Sequence, residues 1–70
     1  MIFAKQLTGD GQTRQFTIER GPRAGWIACE GDGRSEPKTS VIRDWRQVEA
    51  AIALFEHKAS ALRDEGWTEI

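Results

Sequence analysis

The chain has little of what most active sites and metal centres are built from. Its 70 residues include one cysteine, one histidine and no tyrosine. A lone cysteine excludes an intramolecular disulfide and leaves a cysteine-based zinc site without ligands. Cys29 stands in an apolar run and is typical of a small core residue, and His57 is typical of a helix surface. We therefore expect no enzymatic activity, no metal, no bound cofactor and no small-molecule substrate.

Long apolar runs are also missing. Residues 1–6 are too short and too polar a stretch for a signal peptide, and no run approaches the roughly 18 residues that cross a bilayer. Together with the single thiol, this favours a cytoplasmic protein that makes no membrane contact. The length predicts a single domain, residues 1–70, with a small core.

Neither sign of charge is in excess. Ten basic residues face eleven acidic ones, for a net charge of −1. A sequence-independent nucleic-acid binder normally has a strong basic excess, because neutralised phosphates supply its affinity. Six basic residues do fall within positions 20–46, and a small basic face forms if they converge: Arg20, Arg23, Arg34, Lys38, Arg43 and Arg46.

The last third of the chain has the spacing of an amphipathic helix. Asp44 is a suitable N-cap, with Gln47 three residues later as in a capping box, and Gly66 is a suitable C′ residue. In that Schellman arrangement Leu62 and Trp67 contact each other. We predict a helix over residues 45–64, with one apolar stripe spaced 3-4-3-4-3: Trp45, Val48, Ile52, Phe55, Ala59 and Leu62.

Residues 2–42 read as short strands separated by glycine-containing turns. Alternation over Thr13–Glu19 indicates a half-buried antiparallel strand, and Asp10-Gly11 is a hairpin turn. We predict three or four strands, the third over residues 26–30 and the fourth at 40–42. The fold class is then α+β: an antiparallel meander followed by one long C-terminal helix on one sheet face. The predicted core is Phe3, Phe16, Ile18, Ile27, Cys29, Val48, Ile52, Phe55, Leu62 and Trp67.

The length of the helix leaves two arrangements open. Twenty residues span ~30 Å as a helix, whereas strands of about six residues span ~20 Å. Either the sheet is wide enough to cover the whole stripe, or the helix overhangs it and leaves part of the stripe exposed to a partner.

Two short segments resemble a known family. Ala51-x3-Phe55, followed at a distance by Gly66-Trp67, is similar to the end of WGR domains, small sheet-plus-helix modules found in DNA-repair polymerases of the poly(ADP-ribose) type. Gly25-Trp26-Ile27 departs from the Trp-Gly-Arg motif that names the family. No functional residue is carried over from this resemblance.

The tryptophans offer the best indication of a binding surface. Trp45 and Trp67 lie at stripe positions, which favours the core, whereas Trp26 follows a turn that contains Arg20 and Arg23. Arginine beside tryptophan is common at contact surfaces. Arg20, Arg23 and Trp26 are therefore the candidate binding surface. We expect a protein-interaction or assembly module, acting on a protein partner or as a homodimer. The alternative is a nucleic-acid-associated accessory domain that uses the six basic residues.

Overall fold

Four strands precede one long helix, and a short fifth strand follows it. The computed structural model describes residues 2–70, to which every structural statement below refers. The elements are β1 (Phe3–Gly9), β2 (Gln12–Arg20), β3 (Trp26–Gly31), β4 (Lys38–Ile42), α1 (Trp45–Asp64) and β5 (Thr68–Glu69). All strand pairs are antiparallel, and the sheet order is β4-β3-β2-β1-β5. The predicted α+β meander with one helix on one sheet face is confirmed.

The turns between strands follow from a few residues. Asp10 and Gly11 both have positive φ, 52° and 72°, and connect the paired residues Gly9 and Gln12. Two positive φ values are typical of the type I′ turn, whose twist suits a hairpin and which Asp-Gly favours. The predicted hairpin between β1 and β2 is confirmed.

The predicted cap residues stand at both helix ends, but within residues 2–70 the Gln47 side chain does not complete the predicted capping box with Asp44. The Asp44 side chain accepts a hydrogen bond of 3.0 Å from the backbone N–H of Arg46. At the other end Gly66 has a φ of 99°, and the Trp67 N–H donates to the Leu62 carbonyl at 3.0 Å. The Gly66 N–H donates in turn to the carbonyl of residue 63 at 3.0 Å. These are the two hydrogen bonds of a Schellman motif.

Strand β5 was not predicted from the sequence. After the Schellman turn the chain runs back along β1, where Leu7 pairs with Glu69 and Thr8 with Thr68. The Ile70 N–H extends the ladder by donating to the Gln6 carbonyl at 2.8 Å. Two residues are too few to show a period of two, so hydrophobic alternation has no signal here.

The core lies between α1 and the sheet face that α1 covers. Half-buried side chains pack around it, including Phe3, Ile52, Leu62 and Trp67 of the predicted set. The buried apolar residues are Leu7, Phe16, Ile18, Ala28, Ile42, Val48, Phe55 and Ala59.

The placement of Ile27 and Cys29 in the core was wrong. Ile18 pairs with Ala28, so Ala28 shares the helix-covered face, and its two neighbours lie half-buried on the opposite, open face. Residues 26–29 are apolar on both sides of the strand. Alternation cannot therefore choose which side faces the core, and a one-residue shift exchanges the two faces.

The helix covers the sheet unevenly along its length. Val48, Phe55 and Ala59 of the stripe are buried, whereas Trp45 in the first turn is 51% exposed. The stripe is thus incompletely covered at its N-terminal end. The structure contains no helix, within residues 2–70, that is long and apolar enough to cross a membrane.

Candidate binding surface

Three strand ends and the start of the helix meet at one end of the molecule. Arg20, the last residue of β2, pairs with Trp26, the first of β3, and Trp26 pairs with Ile42, the last of β4. The helix begins at Trp45, three residues after Ile42. Antiparallel order therefore brings together residues that lie far apart in sequence.

Two of the three tryptophans contact each other at this end. The rings of Trp26 and Trp45 lie 5.5 Å apart between centroids and are nearly perpendicular, at 63°. Such edge-to-face contact is a favoured arrangement of aromatic rings. Trp26, the predicted anchor, is half-buried and packs against the core. Trp45, which its stripe position had favoured as a core residue, is the more exposed of the pair.

Four exposed arginines lie at the same end of the molecule as the two rings. Arg20 ends β2, Arg23 lies in the loop to β3, Arg43 follows β4, and Arg46 lies in the first turn of α1. None of them forms a salt bridge with any residue of the described range 2–70. We refer to this group as the Arg–Trp surface: Arg20, Arg23, Arg43, Arg46, Trp26 and Trp45.

The predicted basic cluster converges in part. Arg34 lies in the loop between β3 and β4, and Lys38 begins β4, so both belong to the opposite end of the sheet. Convergence of the other four could not be read from the sequence, because it depends on the register of β2, β3 and β4.

The loop that carries Arg23 is held closely against the sheet. The Gly21 N–H donates to the Gly25 carbonyl at 2.9 Å, which closes the loop on itself. Gly25 has a φ of 149°, and a Cβ there would lie 2.8 Å from the Ile42 carbonyl oxygen. The loop borders a cleft of about 250 Å³, which Trp26 and Arg43 also line. Arg23 therefore projects from a closed loop.

Of the six other basic residues, four have acidic partners within residues 2–70, whereas Arg34 and Lys38 have none. Lys58 and Arg14 bind the Glu30 carboxylate at 2.7 and 3.2 Å, which joins α1, β2 and β3. Lys5 and Arg63 bind Glu69, which joins β1 and α1 to β5. The four arginines of the Arg–Trp surface form no such pair and are available to an external anion, as are Arg34 and Lys38 at the opposite end of the sheet.

Two carboxyl groups have lowered pKa values. Burial raises the pKa of Glu30, but its bonds to Lys58 and Arg14 outweigh burial and leave the pKa below its usual value. The pKa of Asp32 falls to about 2, because the backbone N–H groups of Ser35 and Arg34 donate to its carboxylate, followed by the Ser35 hydroxyl. Both groups lie away from the Arg–Trp surface and stabilise the fold locally.

The residues that could carry chemistry do not meet. Cys29 lies half-buried on the open sheet face, whereas His57 is exposed on α1, on the other side of the sheet. Among residues 2–70, no three histidine, cysteine, aspartate or glutamate side chains lie close enough to hold a metal ion.

Comparisons of the chain with protein-family models, with curated proteins and with solved structures found no match. No family match therefore supports the similarity to WGR domains at Ala51-x3-Phe55 and Gly66-Trp67. Any function has to be argued from the Arg–Trp surface itself.

Proposed function

We propose that this chain is a non-enzymatic protein-interaction domain that binds an acidic segment of a partner protein at the Arg–Trp surface. The observation that supports the proposal is the set of four exposed arginines without acidic partners beside the half-exposed Trp45. Arg34 and Lys38 are also exposed and unpaired within residues 2–70, but they lie at the opposite end of the sheet, away from Trp26 and Trp45. The four arginines are therefore the group that a ligand would meet beside an exposed aromatic ring.

The chemistry of the surface fits a protein partner. Arginine binds carboxylates through two parallel hydrogen bonds, and tryptophan and arginine are the residues most enriched where interfaces gain most of their energy. Trp26 packs against the core and supports Trp45 from the side. A partner side chain would therefore meet an indole already held in place, which reduces the entropy lost on binding.

A second candidate is binding of single-stranded nucleic acid. Bases stack on exposed aromatic rings while arginines neutralise the phosphates, and Trp45 with its neighbouring arginines has both elements. The lack of a basic excess counts against the nucleic-acid candidate: the chain is net −1, whereas a protein that gains its affinity by neutralising many phosphates normally has a strong basic excess.

Two probes distinguish these functions. A short fluorescein-labelled peptide rich in aspartate and glutamate, and a labelled oligothymidylate of equal length, are titrated with the protein while anisotropy is measured. We expect the peptide to bind and added salt to weaken it. The double variant Arg20→Ala with Arg23→Ala should bind about tenfold more weakly, which corresponds to ~1.4 kcal/mol.

A matched control removes the same charge from the opposite end. Arg34→Ala with Lys38→Ala should bind the peptide as the wild type does, and thermal melting should show that both double variants remain folded. Equal loss in the two variants, or no binding of either probe, would reject the Arg–Trp surface. Binding of the oligothymidylate without the peptide would replace the protein partner with the nucleic-acid candidate.

A further inference from the structure

We infer that β4 joins the β4 strand of a second copy of this chain, in antiparallel register about a two-fold axis through Ser40. The resulting dimer has one continuous sheet with both helices on the same face. This inference concerns the β4 edge, which shares only Arg43 with the Arg–Trp surface, and it does not depend on the proposed function.

The two edges of the sheet differ in how they are protected. The β5 edge is two residues long, and its Glu69 side chain binds Lys5 and Arg63. The β4 edge is five residues long, Lys38–Ile42, and all but Ile42 are exposed. Its last four residues are uncharged, and it contains neither proline nor glycine. Short strands, charges and proline are the usual means of blocking an edge, so β4 is the edge left open for pairing.

The strand is complementary to itself. A register centred on Ser40 pairs every residue of β4 with a residue of the second β4 strand. Thr39 of each copy then lies opposite Val41 of the other, so this pair occurs twice in the dimer. Val41 is 69% exposed on the open face, where its partner Ile27 in β3 is half-buried. Cross-strand pairs of β-branched residues stabilise antiparallel ladders. Lys38 falls opposite Ile42 of the second copy, so no like charges meet.

Charges lie only at the two ends of the seam, the boundary between the two β4 strands. In the same register Arg43 falls opposite Pro37 of the second copy, between its Glu36 and its Lys38, and all three charged side chains are exposed. The two-fold axis repeats this arrangement at the other end. A second copy therefore supplies the β-branched partners of β4 and places no like charges directly opposite each other.

The helix-covered side of the seam is also apolar. A groove of about 370 Å³ runs between α1 and the β3–β4 edge, and Ser40, Ile42, Ala50 and Leu54 contribute to its lining. Leu54 is 50% exposed there. A two-fold axis perpendicular to the sheet keeps both grooves on one face, on either side of the seam. An isologous interface of this kind closes after two copies.

Like charges placed across the seam test the inference. The variant Thr39→Lys with Val41→Lys sets two pairs of lysines directly opposite each other in the dimer, whereas in a single chain both positions are exposed. We measure mass by sedimentation equilibrium at concentrations about a hundredfold apart, since association follows mass action. We expect the wild type to reach twice the chain mass and this variant to remain at the chain mass.

Two further variants keep the result interpretable. Thr39→Lys with Val41→Glu places opposite charges across the same seam and should restore the dimer, which also shows that the lysine at residue 39 is compatible with folding. Thr68→Lys with Ile70→Lys adds the same charge at the other edge and should leave the dimer intact. A wild type that stays at the chain mass, or a Thr39→Lys/Val41→Lys variant that still dimerises, would overturn the inference.

Discussion

At the residue scale, Gly66 shows how one position ends the helix. Its φ of 99° lies in the left-handed region, and an added Cβ would have no atom within 4 Å. Gly66→Ala therefore adds conformational strain without a steric clash. We expect the free energy of unfolding to fall by about 1 kcal/mol, as measured by urea denaturation.

Gly21→Ala is the control for this substitution. Gly21 has no positive φ, and a Cβ there would make an ordinary contact of 3.4 Å with the Gly25 carbonyl. Its unfolding free energy should change by less than about 0.5 kcal/mol. If the two variants were equally stable, the left-handed conformation of Gly66 would not limit stability.

At the element scale, a helix or strand was predicted correctly when its apolar pattern was long and its apolar residues lay on one side only. The helix bounds 45–64 were predicted because six apolar residues keep one period over five turns and both ends have cap residues. Strand β3 was placed correctly, but its inward side was not, since Ile27 and Ala28 are both apolar. Strand β5 left no periodic signal.

Only part of the candidate surface was predicted, because only some of its residues are close together in sequence. Arg20, Arg23 and Trp26 are close in sequence, so one hairpin end suffices to group them. Arg43, Arg46 and Trp45 join them only through the β3–β4 register and the direction in which α1 leaves β4. Long-range pairing of this kind cannot be read from local spacing.

The packing of the helix end against β1 gives an element-scale prediction. A Cβ on Gly9 would lie 2.5 Å from the Trp67 ring, which the Schellman turn holds against the strand. Gly9→Ala should therefore lower the unfolding free energy by about 1–3 kcal/mol through overpacking. Trp67→Ala should lower it by about 2–3 kcal/mol, since the ring is half-buried.

A double-mutant cycle separates this contact from unrelated effects. In the Trp67→Ala background the clash has no partner, so the additional effect of Gly9→Ala should shrink to a few tenths of a kcal/mol. Urea denaturation of the four proteins supplies the cycle. Additive losses would mean that Gly9 is required for some reason other than the tryptophan ring.

At the scale of the whole molecule, paired and unpaired charges lie in different places. Glu30 and Glu69 each bind two cations and connect the helix to different strands. The Arg–Trp surface lies at an end where no such pair forms, while β4 presents along one side an edge that is uncharged over residues 39–42. The proposed partner and the proposed second copy would therefore meet largely separate parts of the sheet, with Arg43 common to both.

The pKa values of two carboxyl groups predict how the free energy of unfolding responds to acid. The pKa of Glu30 is lowered in the folded chain, and that of Asp32 falls to about 2. Because an unfolded chain restores their ordinary values, the unfolded state binds these protons first as the pH falls. The stabilisation from both groups is complete above the unfolded pKa values and is lost progressively as the pH falls through the folded ones.

Glu30→Gln isolates one part of this response. At about pH 6 the variant should unfold with roughly 1 kcal/mol less free energy than the wild type, since the amide cannot accept charge-assisted bonds from Lys58 and Arg14 as strongly. At an acidic pH below the lowered folded pKa of Glu30, the wild-type carboxyl takes up its proton, so the two proteins should converge in stability. Urea denaturation at both pH values measures the difference. A gap that persisted at acidic pH would mean that Glu30 stabilises the fold by its shape and packing and not through its charge.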